Sequence, residues 1–372
     1  MSVYRCKLKA ISPIHIGDEY GERNPMEFFE DGNDLCLINE GALAGELGKL
    51  GLVDDFVKFT HKERPTLQGY LESIGTEKKE KIKDRIISRR IDANNQKRIN
   101  SLFTAITDAL NQTPYIPGTS IKGALKSQFL CSFLADDQAE LNNVMNRIKS
   151  SRRPPPRKFA GRELDDLVLR ELDGTRQKPH QDWFRGLRVS DAFFDQGKSE
   201  LIEARVVSLN KSGKGSHFGA RGARIYKEVI PSGAELKLTI ETDDSLWSIM
   251  SKENGPLFSS IKELLDKCAK QIVKQADEEA EFWERAGYRS IPGIVKRYQS
   301  AGANICLGWG GGYLSTTVGL LMSQAERMLI KEKYYKRGNY NEFPNSRRAA
   351  FAGENPTALI GWARLNVEEV KD

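Results

Sequence analysis

The run Tyr115-Ile116-Pro117-Gly118-Thr119-Ser120-Ile121-Lys122-Gly123 sets two hydroxyls and a lysine directly behind a Pro-Gly turn. Pro117 and Gly118 punctuate the chain, and Thr119 or Ser120 can cap a helix that starts there. A helix start leaves N–H groups unsatisfied, and with hydroxyls and Lys122 beside them it suits a phosphate. Ile121, Leu125, Phe129 and Phe133 predict a helix over 120–134 with that stripe inward. Lys122 and Lys126 should then face solvent, and Gly123 removes a side chain where a neighbour could pack closely. A well-capped core helix fits the same residues. Far downstream, Gly308, Gly310, Gly311 and Gly312 place four glycines in five positions around Trp309. Such a backbone can press against a ligand without interference from side chains. Its spacing matches neither the Walker A nor the dinucleotide-binding pattern, and no Lys-Ser/Thr pair follows it.

Other chemistries find little support. The five cysteines, Cys6, Cys36, Cys131, Cys268 and Cys306, are far apart and odd in number, with no CxxC pair. Reduced, buried thiols in a cytoplasm are the simple account. His15, His61, His180 and His217 are too scattered to suggest a zinc site. No cofactor or metal is expected, and no catalytic group is assigned, although His15 invites an acid–base role. No apolar run approaches membrane-spanning length, so no membrane partner is expected. Net charge is +6, a mild preference for polyanions. Its distribution says more. Between Glu203 and Glu228 there is no acid, yet Arg205, Lys211, Lys214, Arg221, Arg224 and Lys227 all fall there. Such a block can track a phosphate backbone; a solvated basic loop is the other reading.

Three stretches together resemble a known family: Ile14-His15-Ile16-Gly17, the Ile-Pro-Gly-Thr-Ser-Ile-Lys-Gly motif and the glycine-rich loop. In content and order they resemble the RAMP superfamily of CRISPR effector subunits, and within it the fifth-subunit family of type III-A Csm complexes. The final stretch, Phe343-Pro344-Asn345-Ser346-Arg347-Arg348 followed by Ile360-Gly361-Trp362, fits as well. The resemblance implies an α+β fold: a ferredoxin-like, RRM-type RAMP core with helical insertions and a basic thumb hairpin. It implies a non-catalytic subunit that binds the 3′ region of the guide crRNA and caps a filament of backbone subunits. A role in crRNA maturation and antiviral defence follows. The implied partners are crRNA, target RNA and other Csm-complex subunits, above all a backbone RAMP subunit. RNA contacts would come from His15, Gly17, Thr119, Ser120, Lys122, Lys126, Gly308, Trp309, Gly310, Gly311 and Gly312. The thumb would add Lys211, Lys214, Phe218, Arg221 and Arg224, with Phe218 stacking on a base. A metal-dependent endoribonuclease is the alternative, since backbone members of the superfamily cut RNA with an early-loop aspartate; Asp18 and Asp34 lie in the comparable region.

These residues need a scaffold to hold them. Cys6, Leu8 and Ala10 alternate with Arg5, Lys7 and Lys9, which predicts an opening strand that ends at Pro13. An irregular polar loop should follow, then a strand at Asp34–Ile38. The core is expected over 1–40 with 114–240, with 41–113 as a helical insertion and 205–228 as the thumb. Within the insertion, Lys78 to Arg98 reads as a basic helix with nine Lys or Arg against three acids. Residues 138–150 read as helix and Arg152–Lys158 as a basic linker. Residues 186–194 should be strand, paired with Leu201–Leu209, and Tyr226–Ile240 reads as strand, turn, strand. The region 241–372 should complete the core: a long helix at 257–288 whose acidic patch, Asp277–Glu281, meets a neighbouring subunit, the glycine-rich loop, and Arg347 and Arg348 in a loop before a final strand at 358–367.

Overall fold

Alternation in the opening strand, Ser2–Ala10, buries Cys6, Leu8 and Ala10 and exposes Arg5, Lys7 and Lys9. This computed structural model describes residues 1–96, 99–110, 112–136, 139–150, 182–194, 197–209, 215–217, 224–254, 258–335 and 341–370. The opening strand pairs antiparallel with Glu235–Thr242 and with Trp362–Glu369. Around it a seven-stranded sheet is completed by Ile305–Cys306, Leu187–Val189, Ala192–Phe194 and Tyr115–Ile116. Its inner face carries the helix Gly118–Asp136, which in turn packs on the long helix Ile261–Arg285. Ile121, Leu125 and Phe129 are buried there with Leu8, Leu236 and Phe258, as the helical stripe requires. Phe133 is half-buried, and Leu134 takes the inward position beside it. Each large apolar side chain so buried contributes about 1.5–3 kcal/mol.

A ten-stranded sheet is built around Glu200–Leu209, which pairs with Ile225–Val229, Ser346–Ala352, Gly215–His217 and, parallel, Ile87–Asp92. Leu102–Ala105 and Gly17–Arg23 extend it on one side, Asp34–Ile38 and Phe28–Asp31 on the other, and Asn355–Leu359 pairs with Ser346–Ala352 as the tenth strand. Four short helices, Glu40–Lys49, Val53–Thr60, Leu67–Ser73 and Thr76–Ile86, close over Phe29 and Cys36 with a core of their own.

The structure departs from the sequence expectations at four places. The basic helix stops at Ile86, and Ile87–Asp92 is a strand. Ile91 lies five residues past Ile86, off the helical stripe, whereas Ile87, Arg89 and Ile91 alternate and pair with Asp34–Ile38. Leu201–Leu209 does not pair with 186–194: Leu187–Val189 and Ala192–Phe194 pair with Glu235–Thr242 in the other sheet. The polar stretch after Pro13 forms Gly17–Arg23, at one end of the ten-stranded sheet, where polar residues are tolerated. Arg347 and Arg348 lie inside a strand, not a loop. The basic linker at 152–158 lies outside the described residues.

The two sheets meet along a hydrogen-bonded seam. Ile11 N–H and Ser12 N–H donate to the Trp362 carbonyl, and Gly361 N–H donates to the Pro13 carbonyl at 2.8 Å. Leu307 N–H donates to the Gly361 carbonyl at 2.7 Å, and Trp309 N–H to the His15 carbonyl at 3.0 Å. Gly361 sits at φ +98°, a conformation that excludes most side chains. A Cβ there would also strike the Leu307 carbonyl oxygen.

Candidate nucleic-acid interface

The seam brings together three of the stretches that sequence reasoning singled out: Ile14–Gly17, Leu307–Gly312 and Ile360–Trp362. Gly308 has φ +71°, and a Cβ on it would strike the His15 carbonyl oxygen. A Cβ on Gly310 would strike the Ile360 carbonyl oxygen, and one on Gly311 would strike the Ser315 hydroxyl. Gly312 differs: φ is +64°, but no atom lies within 4 Å of a Cβ built there. Three glycines therefore let strands and loop close on one another, and the fourth opens toward a cleft of about 530 Å³. Trp309, Tyr313, Tyr335, Phe343, Arg347 and Arg348 line that cleft. Aromatic faces beside guanidinium groups suit a base and its phosphate.

Behind the loop lies a cluster of cations. Lys227 is 4% exposed, with its ammonium 4.4 Å from the Trp309 ring centroid and 4.2 Å from that of Phe103. The Arg348 guanidinium is 4.4 Å from the Trp309 centroid and donates to the Trp309 carbonyl at 2.8 Å. His15 Nε2 is 3.1 Å from Lys227 Nζ, and its Nδ1 is 2.7 Å from the Glu228 carbonyl oxygen. Burial, then repulsion from Arg348, pulls the Lys227 ammonium down to about 8. Burial, then Lys227, pulls His15 down to about 4, so its ring is neutral near pH 7. Burial also lowers Arg348. Strand alternation sends the carboxylate of Glu228 the other way, to Ser199 Oγ at 2.6 Å, Ala105 N–H at 2.9 Å and Arg89. Among the described residues no carboxylate pairs with Lys227 or Arg348. His15 is thus a packed histidine, placed to hold the loop through its carbonyl. Gly17 lies just past it, exposed at the start of its strand.

The Pro-Gly-Thr-Ser helix departs from expectation. Gly118 N–H, at its start, donates to the Asp191 carboxylate at 2.8 Å, so a carboxylate of the chain itself already occupies that position. Lys122 is half-buried and donates to the Leu187 carbonyl at 2.7 Å; burial lowers its pKa. Lys126 faces Asp182 at 3.4 Å. Neither lysine is free in solvent, because Leu187–Val189 crosses beside the helix. The close approach belongs to Gly118, where a Cβ would meet the Val189 carbonyl oxygen; Gly123 is exposed with open space around it. Thr119 and Ser120 stand at this same end of the helix. The other half of the helix reaches the downstream side of the glycine-rich loop, with Cys131 Sγ 4.0 Å from the Thr317 carbonyl oxygen.

Of the acid-free block, Lys211, Lys214, Phe218 and Arg221 lie outside the described residues. Arg205 is committed to Glu203 and Glu354, Arg224 is exposed 3.7 Å from Glu203, and Lys227 is buried. The acidic patch of the long helix is likewise internal in part: Glu278 pairs with Arg327 at 2.8 Å and Glu279 with Arg347 at 2.7 Å. Asp18 accepts from Gly21 N–H, Arg23 and Thr104, and Asp34 from Lys198. Among the described residues no group of three or more His, Cys, Asp or Glu could hold a metal ion, and no helix is long and apolar enough to cross a membrane. Sequence reasoning missed Tyr335; it named Lys227 in the basic block and Phe343 in the final family-like stretch without assigning either to the site. Only the Arg347-Arg348 pair hinted that this stretch reaches the cleft.

The family model for the RAMP superfamily matches residues 7–315. The chain is 22% identical to the CRISPR system Cms protein Csm5 of Methanocaldococcus jannaschii, over 98% of this chain and 88% of that protein. It is 27% identical to the protein of the same name from Mycobacterium tuberculosis H37Rv, over 59% of this chain and 52% of that one. Its fold is similar to a chain in the structure of a type III-A Csm-crRNA-target RNA ternary complex, with TM-score 0.70 and 20% identity over 98% of this chain and 100% of that one. The T. onnurineus Csm5 crystal structure is similar too, with TM-score 0.67 and 20% identity over 96% of this chain and 99% of that one.

Proposed function

The chain belongs to the RAMP superfamily, and from that premise we propose that it is a non-catalytic RNA-binding subunit of a type III-A CRISPR interference complex. It binds the 3′ region of the guide crRNA, caps the row of backbone RAMP subunits and takes part in crRNA maturation. The observation that carries this reading is the convergence of Ile14–Gly17, Leu307–Gly312 and Ile360–Trp362 on one aromatic cleft backed by Lys227 and Arg348. Open space at Gly312 lets a phosphodiester approach the backbone, and Trp309, Tyr335 or Phe343 offers a base a stacking face. The cations leave an anion to be supplied from outside. The seven-stranded sheet and its helix serve as the ferredoxin-like core.

The test is the RNA content of the purified, assembled complex carrying Trp309→Ala or Arg348→Gln. Loss of guide, or guides shortened at the 3′ end, with normal assembly and melting temperature, is the expected result. Full guide length and occupancy in both variants would remove the cleft from the RNA path.

A further inference from the structure

We propose a second site for single-stranded RNA on the outer face of the seven-stranded sheet, separate from the cleft. Register aligns five side chains in one row across five strands. Asn366 is paired with Lys7, Lys7 with Lys237, Lys237 with Phe193, and Phe193 with Tyr115. Alternation points this row away from the core: Lys7, Lys237 and Asn366 are exposed, and Phe193 is 45% exposed. The Phe193 and Tyr115 rings stack with centroids 5.6 Å apart and planes 23° from parallel.

Two lysines directly opposite in a ladder repel, and an exposed aromatic pair leaves apolar area in water. Both features suit a nucleic-acid strand. Strands lie about 4.8 Å apart, so Lys237 is one spacing from Phe193 and Lys7 is two. A base that continues the Tyr115–Phe193 stack places its sugar-phosphate over the two lysines. A depression of about 490 Å³ lies over this row, walled by Phe193, Lys7, Lys237, Arg5 and Thr239. The row holds no carboxylate. Two carboxylates border the depression: Asp191, whose side chain is committed to Gly118 N–H, and Glu368, which lies opposite Arg5 in the ladder. Phe193 and Tyr115 lie toward the opposite edge of the sheet from Ile305–Cys306, which leads into the glycine-rich loop. The strand held here is therefore a different stretch of RNA from the one in the cleft, although the inference rests on the chain being an RNA-binding subunit.

The experiment titrates the purified full chain into a short fluorescein-labelled oligouridine and follows anisotropy over a range of salt. Phe193→Ala should weaken binding roughly tenfold, while Phe193→Trp retains it. The double variant Lys7→Gln/Lys237→Gln should flatten the slope of log affinity against log salt by roughly one unit. All these side chains are exposed, so melting temperatures should hold. Unchanged affinity and slope in folded sheet-face variants, with binding lost in Trp309→Ala, would overturn the second site and leave the proposed function standing. Unchanged binding in every variant, Trp309→Ala included, would overturn both. Altered self-association with unchanged RNA affinity would reassign the face to protein contact.

Discussion

Lys227 carries the clearest cost of the interface at the level of a single residue. Its ammonium is buried among rings, beside neutral His15 and repelled by Arg348. With a folded pKa of about 8 against 10.5 in the unfolded chain, the unfolded state binds more protons between those values. Stability from this group therefore rises with pH across 8 to 10.5, and below pH 8 the cost is fully present. A shift of that size corresponds to roughly 3 kcal/mol. Burial pushes all five thiols upward, so they work in the opposite sense. Their stabilisation is lost as pH rises past the unfolded thiol value, and five such groups outweigh one lysine in the total. The difference between two proteins isolates the lysine. Lys227→Met keeps the packing against Trp309 and Phe103 and should melt higher than the parent at pH 7. That advantage should shrink steadily toward pH 10, and His15, relieved of its neighbour, should titrate above its present value of about 4. Melting curves across the pH range and the His15 NMR titration check both points. An advantage independent of pH would mean that Lys227 is not destabilised by its charge.

The glycine-rich loop lets the two uses of glycine be separated at the level of an element. Gly310 lets the loop close on Ile360, whereas Gly312 is left-handed and open. Gly310→Ala should force the seam apart and cost about 1–3 kcal/mol or more, seen as a lower melting temperature with RNA loss secondary to it. Gly312→Ala should cost only about 1 kcal/mol of backbone strain, yet put a methyl group where RNA would approach, so guide occupancy falls while the fold persists. Equal melting losses and equal RNA losses in the two variants would mean that the loop is structural throughout. The sequence marked the loop but not which glycines pack closely and which stays open, because that depends on Ile360 and His15, which are remote in the chain. The same limit applied elsewhere. Period-two and period-3.6 patterns exposed Ser2–Ala10, Gly118–Asp136 and Ile261–Arg285, whose apolar faces repeat cleanly. They failed at Ile87–Asp92, which is short and charged. They failed again for the partners of Glu200–Leu209, since pairing across more than a hundred residues leaves no local trace. Lys122 looked solvent-facing because its partner, the Leu187 carbonyl, belongs to a strand that periodicity alone cannot position.

At the level of the whole molecule, what matters is how the long helix locks the C-terminal strands that form the cleft. Glu279, in the C-terminal third of Ile261–Arg285, is buried and accepts from Arg347 Nε at 2.7 Å and from Trp283 Nε1 at 3.1 Å. Burial raises its carboxyl pKa, and Arg347 opposes that rise. Arg347 also lies 4.5 Å from the Phe282 ring centroid, donates to the Pro344 carbonyl and lines the cleft beside Arg348. One guanidinium thus ties helix, strand and cleft wall together. Removing a single partner strands a buried charge, at a cost of about 3–5 kcal/mol. Removing both and filling the space with apolar groups costs far less, because desolvation of the pair disappears with its attraction. Glu279→Met and Arg347→Met should each lower the melting temperature strongly, and the double variant should recover most of the loss. If the pair serves stability alone, the double variant will also bind guide RNA like the parent. If Arg347 orders the wall for Arg348 and Phe343, the double variant will be stable yet hold less guide. A double-mutant cycle in melting temperature, run beside guide occupancy of the assembled complex, separates these outcomes. Additive losses in the cycle would mean that the two charges are not coupled, and the helix would then hold the cleft through its apolar face, Phe282 and Trp283, instead.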